Sequence, residues 1–421
     1  MAKKAANRNP GMYSLIECSF INFKNQKIDI KSVINKIDVQ ADMFNTCMLG
    51  SIEIHDRGGN FQQNIPLIGE ERISFKFKID ESTEEITLLF DVYHLSRNIQ
   101  SGENTMQYIL HFISHEFLAN QTVLISDGFI RKKPHEIVKS CMTRISNKKI
   151  NIEESANPIN YVSPSIHPFA VINYVSPRSI AKSNNSTYVF FEDINGFNFK
   201  TIEKMYEGAA IDYYFSKKNL TNTDFESEYY AITSYEIVQS YNTLDNMSKG
   251  SYGATVYGFD PYTRDYTKTT YNYNLDDDFK KLKHLDNNNP NNKLHTSQYQ
   301  YKDAFQGFLK CLPISESHQG DKFKNIAKRN TQINLLTNGL KIVLQVAGNS
   351  DILVGSVINL NYPNKSRDND KQPLDKYLSG KYLVTAVRHI FTQTKYTTVM
   401  EITRDVYHDN HEDYDRTTLL S

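Results

Sequence analysis

Residues 67–77 read LIGEERISFKF and residues 353–362 read LVGSVINLNY, and the comparison of these two stretches decides the architecture. After Gly69, the apolar residues Ile73, Phe75 and Phe77 alternate with polar ones; after Gly355, Ile358, Leu360 and Tyr362 do the same. A period of two places the apolar side chains on one face of a half-buried strand. The sequel also matches in order. A strand around Val92 and one around Leu110 follow the first stretch, and strands around Val384 and Met400 follow the second. The repeat predicts a duplicated β-barrel. The two alternations are offset by one residue relative to their glycines, and a one-residue slip would turn a strand over, so a bulge must absorb it. The alternative is two unrelated strand-rich domains.

Outward from these stretches, Met48 to Asp56 (MLGSIEIHD) alternates Ile52 and Ile54 with Ser51, Glu53 and His55, and Arg57-Gly58-Gly59-Asn60 ends it with a turn. Leu89 to Leu95 and Met106 to Ile113 supply further strands. Beyond residue 119 the texture changes. Lys133-Pro134 opens an amphipathic helix with Ile137, Val138, Cys141, Met142 and Ile145 on one face. A second helix is expected from Ser176-Pro177 to about Ser183, then a strand over 188–191 and a type I′ hairpin at Asn195-Gly196. Strands resume at 210–215 and 229–239, followed by a Tyr- and Gly-rich stretch through Tyr273. Residues 284–300 read as a flexible loop. A helix over about 321–338 carries Phe323, Ile326, Ile333 and Leu336 on one face and stops at Gly339 as a C′ glycine. Strands fill 340–407, interrupted by a loop at 363–376.

The expected fold class is therefore mainly β with α+β: two related antiparallel β-barrel domains, a middle α+β domain and an insertion domain. The expected division is 12–118 for the first barrel, 119–205 for the α+β domain, 206–245 with 331–405 for the second barrel, 246–330 for a Tyr- and Asn-rich insertion, and 406–421 for a polar tail.

Composition narrows the function. With 421 residues the chain has room for several cores, and 48 basic against 48 acidic residues leave no net field toward nucleic acid or anionic lipid. Cys18, Cys47, Cys141 and Cys311 lie far apart without a CxxC pair, which points to reduced, buried thiols rather than zinc or disulfides. No apolar run is long enough for a membrane span or a signal peptide, so no stable membrane insertion is expected.

Known catalytic patterns fail. His-Glu pairs begin at His115, His135 and His411, but a zinc-peptidase helix needs a second His four residues on, where Ala119, Lys139 and Asp415 stand. GxSxG, Walker and GxGxxG motifs are absent, and Gly380-Lys381 is followed by Tyr382. A glycosidase needs only two carboxylates suitably placed in space, so a cell-wall glycosidase stays open as an alternative. The run Asp276-Asp277-Asp278 and the tail at 408–415 read as solvated, and the short basic clusters at 131–133, 148–149, 217–218 and 280–283 as surface. Tyrosines from Tyr252 to Tyr273 suit sheet packing, with a carbohydrate-binding module as the competing reading. The expectation is a non-enzyme with no catalytic, cofactor-binding or metal-ligating residues and no cofactor.

Four blocks in order carry a resemblance. GSIEIHD (50–56) with IPLIGEE (65–71), VINYVSPRSIAKSNNSTYVFFEDINGFNFKTIEKM (171–205), KGSYGATVYGFDPYTRDY (249–266), and VAGNSDILVGSVINLNYP (346–363) with SGKYLVTAVRHIFTQTKYTTVMEITRD (379–405) resemble the baseplate central hub protein of T4-type contractile-tailed phages. The resemblance covers most of the chain. It implies two tube-forming barrels, an α+β domain between them and an insertion in the second barrel. It further implies a homotrimer whose pseudo-six-fold ring joins the tail tube protein and surrounding baseplate proteins to a tail spike protein. DNA would cross the ring only as passing cargo, during genome ejection. The implied location is the virion tail baseplate after assembly in the host cytoplasm, with the hub of a phage-derived injection system equally compatible.

Overall fold

The computed structural model describes residues 11–405 apart from 23, 59–66, 80–84, 103–104, 216–228, 252, 260–263, 265, 273–284, 286–311, 314–320, 364–373 and 376–377. Strands dominate. The first region holds β1 (Ser14–Ile21), β2 (Lys27–Asp29), β3 (Ile34–Asp42), β4 (Leu49–Arg57), β5 (Arg72–Lys78), β6 (Ile86–Gly102) and β7 (Thr105–Ser114). The middle holds β8 (Gly128–Lys132), β9 (Ile150–Ile152), β10 (Ile159–Val162), β11 (Tyr188–Asp193) and β12 (Gly196–Thr201). Four helices accompany them: α1 (His115–Thr122), α2 (Pro134–Met142), α3 (Pro168–Val175) and α4 (Ile202–Met205). The remainder comprises β13 (Ala210–Phe215), β14 (Ala231–Gln239), α5 (Thr243–Ser248), β15 (Gly253–Phe259), β16 (Tyr266–Asn272), β17 (Leu312–Pro313) and α6 (Asp321–Thr337). Four last strands follow: β18 (Leu340–Ala347), β19 (Val357–Asn361), β20 (Gly380–Thr392) and β21 (Tyr396–Arg404).

One topology occurs twice. β3, β4, β7, β6 and β5 lie side by side in that order, and β14, β18, β21, β20 and β19 repeat it. In the second set β13 joins β14 to β19, running parallel to both, and closes a six-stranded barrel. In the first set β1 takes the sixth place, antiparallel to β5, and β2 pairs with its other edge.

Register superposes the two copies, apart from added bulges at Leu95/Arg97 and Gln100/Gly102 of β6 and at Ile237/Gln239 of β14. Arg72 pairs with Asp91 where Val357 pairs with Leu383. The next backbone bond agrees: Val92 N–H donates to Glu71 O at 2.8 Å and Val384 N–H donates to Ser356 O at 2.9 Å. Ladder bulges recur too, between Val92 and His94 as between Val384 and Ala386, and between Ile34 and Lys36 as between Ile232 and Ser234. Independent strands would not place irregularities alike, so the fold is a duplication.

The one-residue offset has a local cause. Gly69 and Gly355 both take positive φ, +92° and +85°. Glu71 stands two residues beyond its glycine and Ser356 one, so the extra residue is Glu70, in the turn itself. Ile73 thus matches Ile358 and Phe75 matches Leu360, and all four are buried. The expected strand bulge gives way to a longer turn. The Glu71 carboxylate holds that turn by accepting from the N–H groups of Ile68 (2.6 Å) and Gly69 (2.9 Å), as the Ser356 hydroxyl accepts from Leu353 N–H (3.2 Å).

One continuous core runs through both barrels, from Phe20, Phe75 and Phe90 to Leu344, Val384 and Met400. A second core fills the middle domain, where Ile137, Val138, Cys141 and Met142 of α2 pack on α3 and the β11–β12 sheet. Apolar burial of this kind is the main favourable term for each.

Three local expectations change. The second helix is α3, which starts with Pro168 and ends where Ser176-Pro177 was expected to begin one; residues Ser176–Arg178 make a single 3-10 turn. Phe169, Val171, Ile172 and Val175 supply the buried face of α3. Pro177 has no N–H to continue the ladder, and the hydroxyls of Ser176 and Ser179 cap Ile172 O (2.7 Å) and Val175 O (3.0 Å) instead. The β11–β12 turn is Ile194-Asn195, because Gly196 already pairs with Asp193. Positive φ falls on Gly196 (+121°), where a Cβ would lie 2.3 Å from Lys149 O. Gly339 likewise serves close approach rather than a left-handed cap. It lacks positive φ, and a Cβ there would meet Arg404 O at 2.3 Å. The loop expected at 284–300 lies, except for Leu285, outside the described residues, as do most of the loop at 363–376 and the polar tail.

Candidate functional site: the joint between the barrels

Residues considered for chemistry are scattered. His115 Nδ1 lies 2.6 Å from Asp91 Oδ2, in a cluster with Arg72, while His135 Nδ1 contacts Ser155 Oγ at 2.9 Å within the middle domain. His411 and Asp276 to Asp278 lie outside the described residues. Burial pushes the thiols of Cys18 and Cys141 up to about 12 and that of Cys47 higher still, so these three are held as neutral thiols. Cys311 is outside the described residues. Among the described residues no group of three His, Cys, Asp or Glu side chains is placed to hold a metal ion. No described helix is long and apolar enough to cross a membrane.

The concentration of interactions lies elsewhere, where β20 of the second barrel pairs with β3 of the first. The ladder runs antiparallel from Ala386 opposite Asp42 to Thr392 opposite Lys36, fusing the barrels into one 13-stranded sheet. Arg388 spans the joint: its Nε lies 2.8 Å from both carboxylate oxygens of Asp38, and its terminal nitrogen bonds the same carboxylate. Asp38 is 2% exposed, and Arg388, together with Lys36 Nζ at 3.5 Å, supplies the charge that its burial requires. That hydrogen bonding raises the guanidinium pKa above its ordinary value, keeping Arg388 charged. Beside it His389 is buried, with Nδ1 2.8 Å from the Tyr396 hydroxyl, and burial drives its pKa down to about 4. Gln393 Nε2 donates to Ile34 O (3.1 Å) and Met43 N–H to Thr385 O (2.8 Å), closing the two ends.

The middle domain anchors to the same region. Lys148 Nζ lies 2.7 Å from Glu116 and 2.7 Å from Glu192, and Glu192 accepts from Met48 N–H at 2.9 Å, just before β4. Burial works to lower the Lys148 pKa, but the two carboxylates outweigh it and hold it raised.

Duplication gives this joint a counterpart that is open. By the shared register β6 corresponds to β20 and β14 to β3. Ile237 matches Val39, Tyr235 matches Ile37 and Leu95 matches Val387. The joint residues are 1%, 1% and 2% exposed, their counterparts 38%, 36% and 36%. On β14 six consecutive residues, Thr233 to Val238, are exposed, as are Tyr93 to Ser96 on β6. Nothing local in the sequence marks Arg388 or Asp38. Their partners stand some 350 positions apart in the chain, and only the tertiary pairing brings them together.

No protein-family model and no curated protein matches the chain. Among solved structures the fold is shared with tail proteins. A tail protein from Neisseria meningitidis MC58 aligns over 93% of this chain and 97% of its own, with a TM-score of 0.53 and 11% identity. A 43 kDa tail protein of prophage MuSo2 from Shewanella oneidensis aligns over 92% and 98%, with a TM-score of 0.51 and 8% identity. The two-barrel hub-like fold that the resemblance implied is therefore the fold the chain has.

Proposed function

We propose that this chain is a structural baseplate hub subunit of a contractile tail, whose trimer forms a pseudo-six-fold ring between the tail tube and a central spike. The observation that carries this reading is the duplicated barrel, joined through β20 and β3 into one sheet. Three such chains present six similar barrels, which lets one face meet a six-fold tube while the assembly stays three-fold for a spike. The tail-protein fold over nearly the whole chain supports the same reading. In it the protein is non-enzymatic and its division follows the barrel, α+β, barrel and insertion boundaries expected from sequence. It assembles in the host cytoplasm, sits in the virion tail and passes the genome without gripping it.

Light scattering with negative-stain imaging tests the reading. The expected result is a trimeric ring, alone or with the spike. A protein that stays monomeric at high concentration in both conditions would overturn it. A peptidoglycan zymogram and a glycan array, both expected to be blank, test the two alternatives.

A further inference from the structure

The ring reading says nothing of which residues join one protomer to the next, but the internal duplication supplies them. We infer that β6 of one protomer pairs antiparallel with β14 of a second copy, in the register of the β20–β3 joint, with Arg97 and Glu236 at the positions of Arg388 and Asp38. This inference rests on the proposed self-assembly and adds its interface.

The assignment follows from four ladders. Arg388 opposes Val399 of β21, and Arg97 opposes the matching Ile109 of β7. Asp38 opposes Ser51 of β4, and Glu236 opposes the matching Val343 of β18. A base and an acid therefore recur at the two positions that make the Arg388–Asp38 ion pair of the joint. Within the chain Ile390 opposes Asp38 and His389 opposes Val39. Carried across, Ile99 opposes Glu236 and Asn98 opposes Ile237 of the neighbouring copy.

The edges are ready for such pairing. β5 pairs with β6 only over Ile86 to Asp91, as β19 pairs with β20 only up to Leu383. On β20 the edge beyond is taken by β3; on β6 no described strand takes it. β14 has β18 along one side and meets β13 only at Ala231 and Ile232. Long strand edges bearing exposed apolar residues, here Ile99 (47%) and Val238 (55%), are sites where another strand adds. The second copy is the favoured occupant because each edge is complementary to the other and not to itself. Such a contact is heterologous, and it closes into a ring or runs on as a filament according to its rotation.

The experiment uses the full chain. Arg97→Glu and Glu236→Arg, each alone, are expected to raise the protein concentration at half-assembly at least ten-fold by light scattering, and the double variant to restore it. Ile99→Cys with Glu236→Cys is expected to form an intermolecular disulfide, since directly opposed positions lie within its reach. A wild-type protein that never assembles overturns both the ring reading and this interface. A wild type that assembles while neither single variant weakens it and no cross-link forms overturns the interface alone. Circular dichroism confirms that the variants fold; at both positions β6 and β14 have a described neighbour on one side only, so loss of folding would itself contradict the assignment.

Discussion

β20 and β3 meet inside the chain, whereas β6 and β14 share one bulge each with them, add others at Leu95/Arg97, Gln100/Gly102 and Ile237/Gln239, and have no described strand on the matching edge. The residues differ as their surroundings do. Val39 and Ile37 are buried aliphatics, while Ile237 and Tyr235 remain over one-third exposed, and the acid that is buried as Asp38 stands exposed as Glu236. A duplicated unit thus shows one interface made and its equivalent unmade. The difference between them measures what the joint contributes.

The largest expected contrast is electrostatic. Arg388→Ala leaves buried Asp38 with only Lys36, whose Nζ lies 3.5 Å away, as counter-charge and is expected to cost on the order of 2 kcal/mol, below the range for a fully broken buried pair because Lys36 remains and Arg388 is itself part exposed. Glu236→Ala in the monomer should change stability by less than about 0.5 kcal/mol. Urea unfolding of both variants below the assembly concentration checks this, and equal losses would break the comparison.

Next comes pH. His389 is held near 4 by burial while the unfolded imidazole titrates near 6.5, so the unfolded chain binds the proton first. Its contribution to stability is intact above about 6.5 and is lost as pH falls toward 4, on the order of 3 kcal/mol in total. Glu203 acts oppositely. Burial, opposed by the Thr187 hydroxyl, raises it from 4.5 to about 7, so the folded state keeps the proton longer and the penalty grows as pH rises through that interval. Glu203→Gln is expected to raise the urea midpoint at pH 8 and leave it unchanged near pH 4. A variant with the wild-type profile would show that Glu203 is not desolvated in the fold.

Smaller still is the packing contrast between copies. Val92→Ala and Val384→Ala fill matching core positions and should each cost about 2 kcal/mol, within about 1 kcal/mol of one another. Leu353, at the head of the second stretch, is only half-buried beside the buried Ile352 and Val354, so Leu353→Ala should cost less than either valine variant. Thermal or chemical denaturation of the three variants sharpens the equivalence or dissolves it. The weakest effect expected is on nucleic acid. Zero net charge predicts faint binding of duplex DNA by the assembled ring in a mobility-shift titration at physiological salt, and tight, steeply salt-dependent binding would replace the passive conduit with a gripping surface.

What the sequence determined by itself is the set of elements and their repetition. Period-two alternation after Gly69 and Gly355 fixed which faces are buried, because burial on a pleated strand acts locally on every second residue. The run from Ile137 to Met142 fixed α2 for the same reason at helical period. Turn and boundary details were less legible: Asn195-Gly196 and Ser176-Pro177 fit one local rule while a neighbouring backbone, Lys149 at the hairpin and α3 before the proline, imposed another. Tertiary structure alone decided the joint. Arg388 and Asp38 read as ordinary surface charges in sequence, since nothing local marks a partner so distant in the chain. Only the closing of two barrels against each other buried Asp38 beneath Arg388, while its counterpart Glu236 stays exposed.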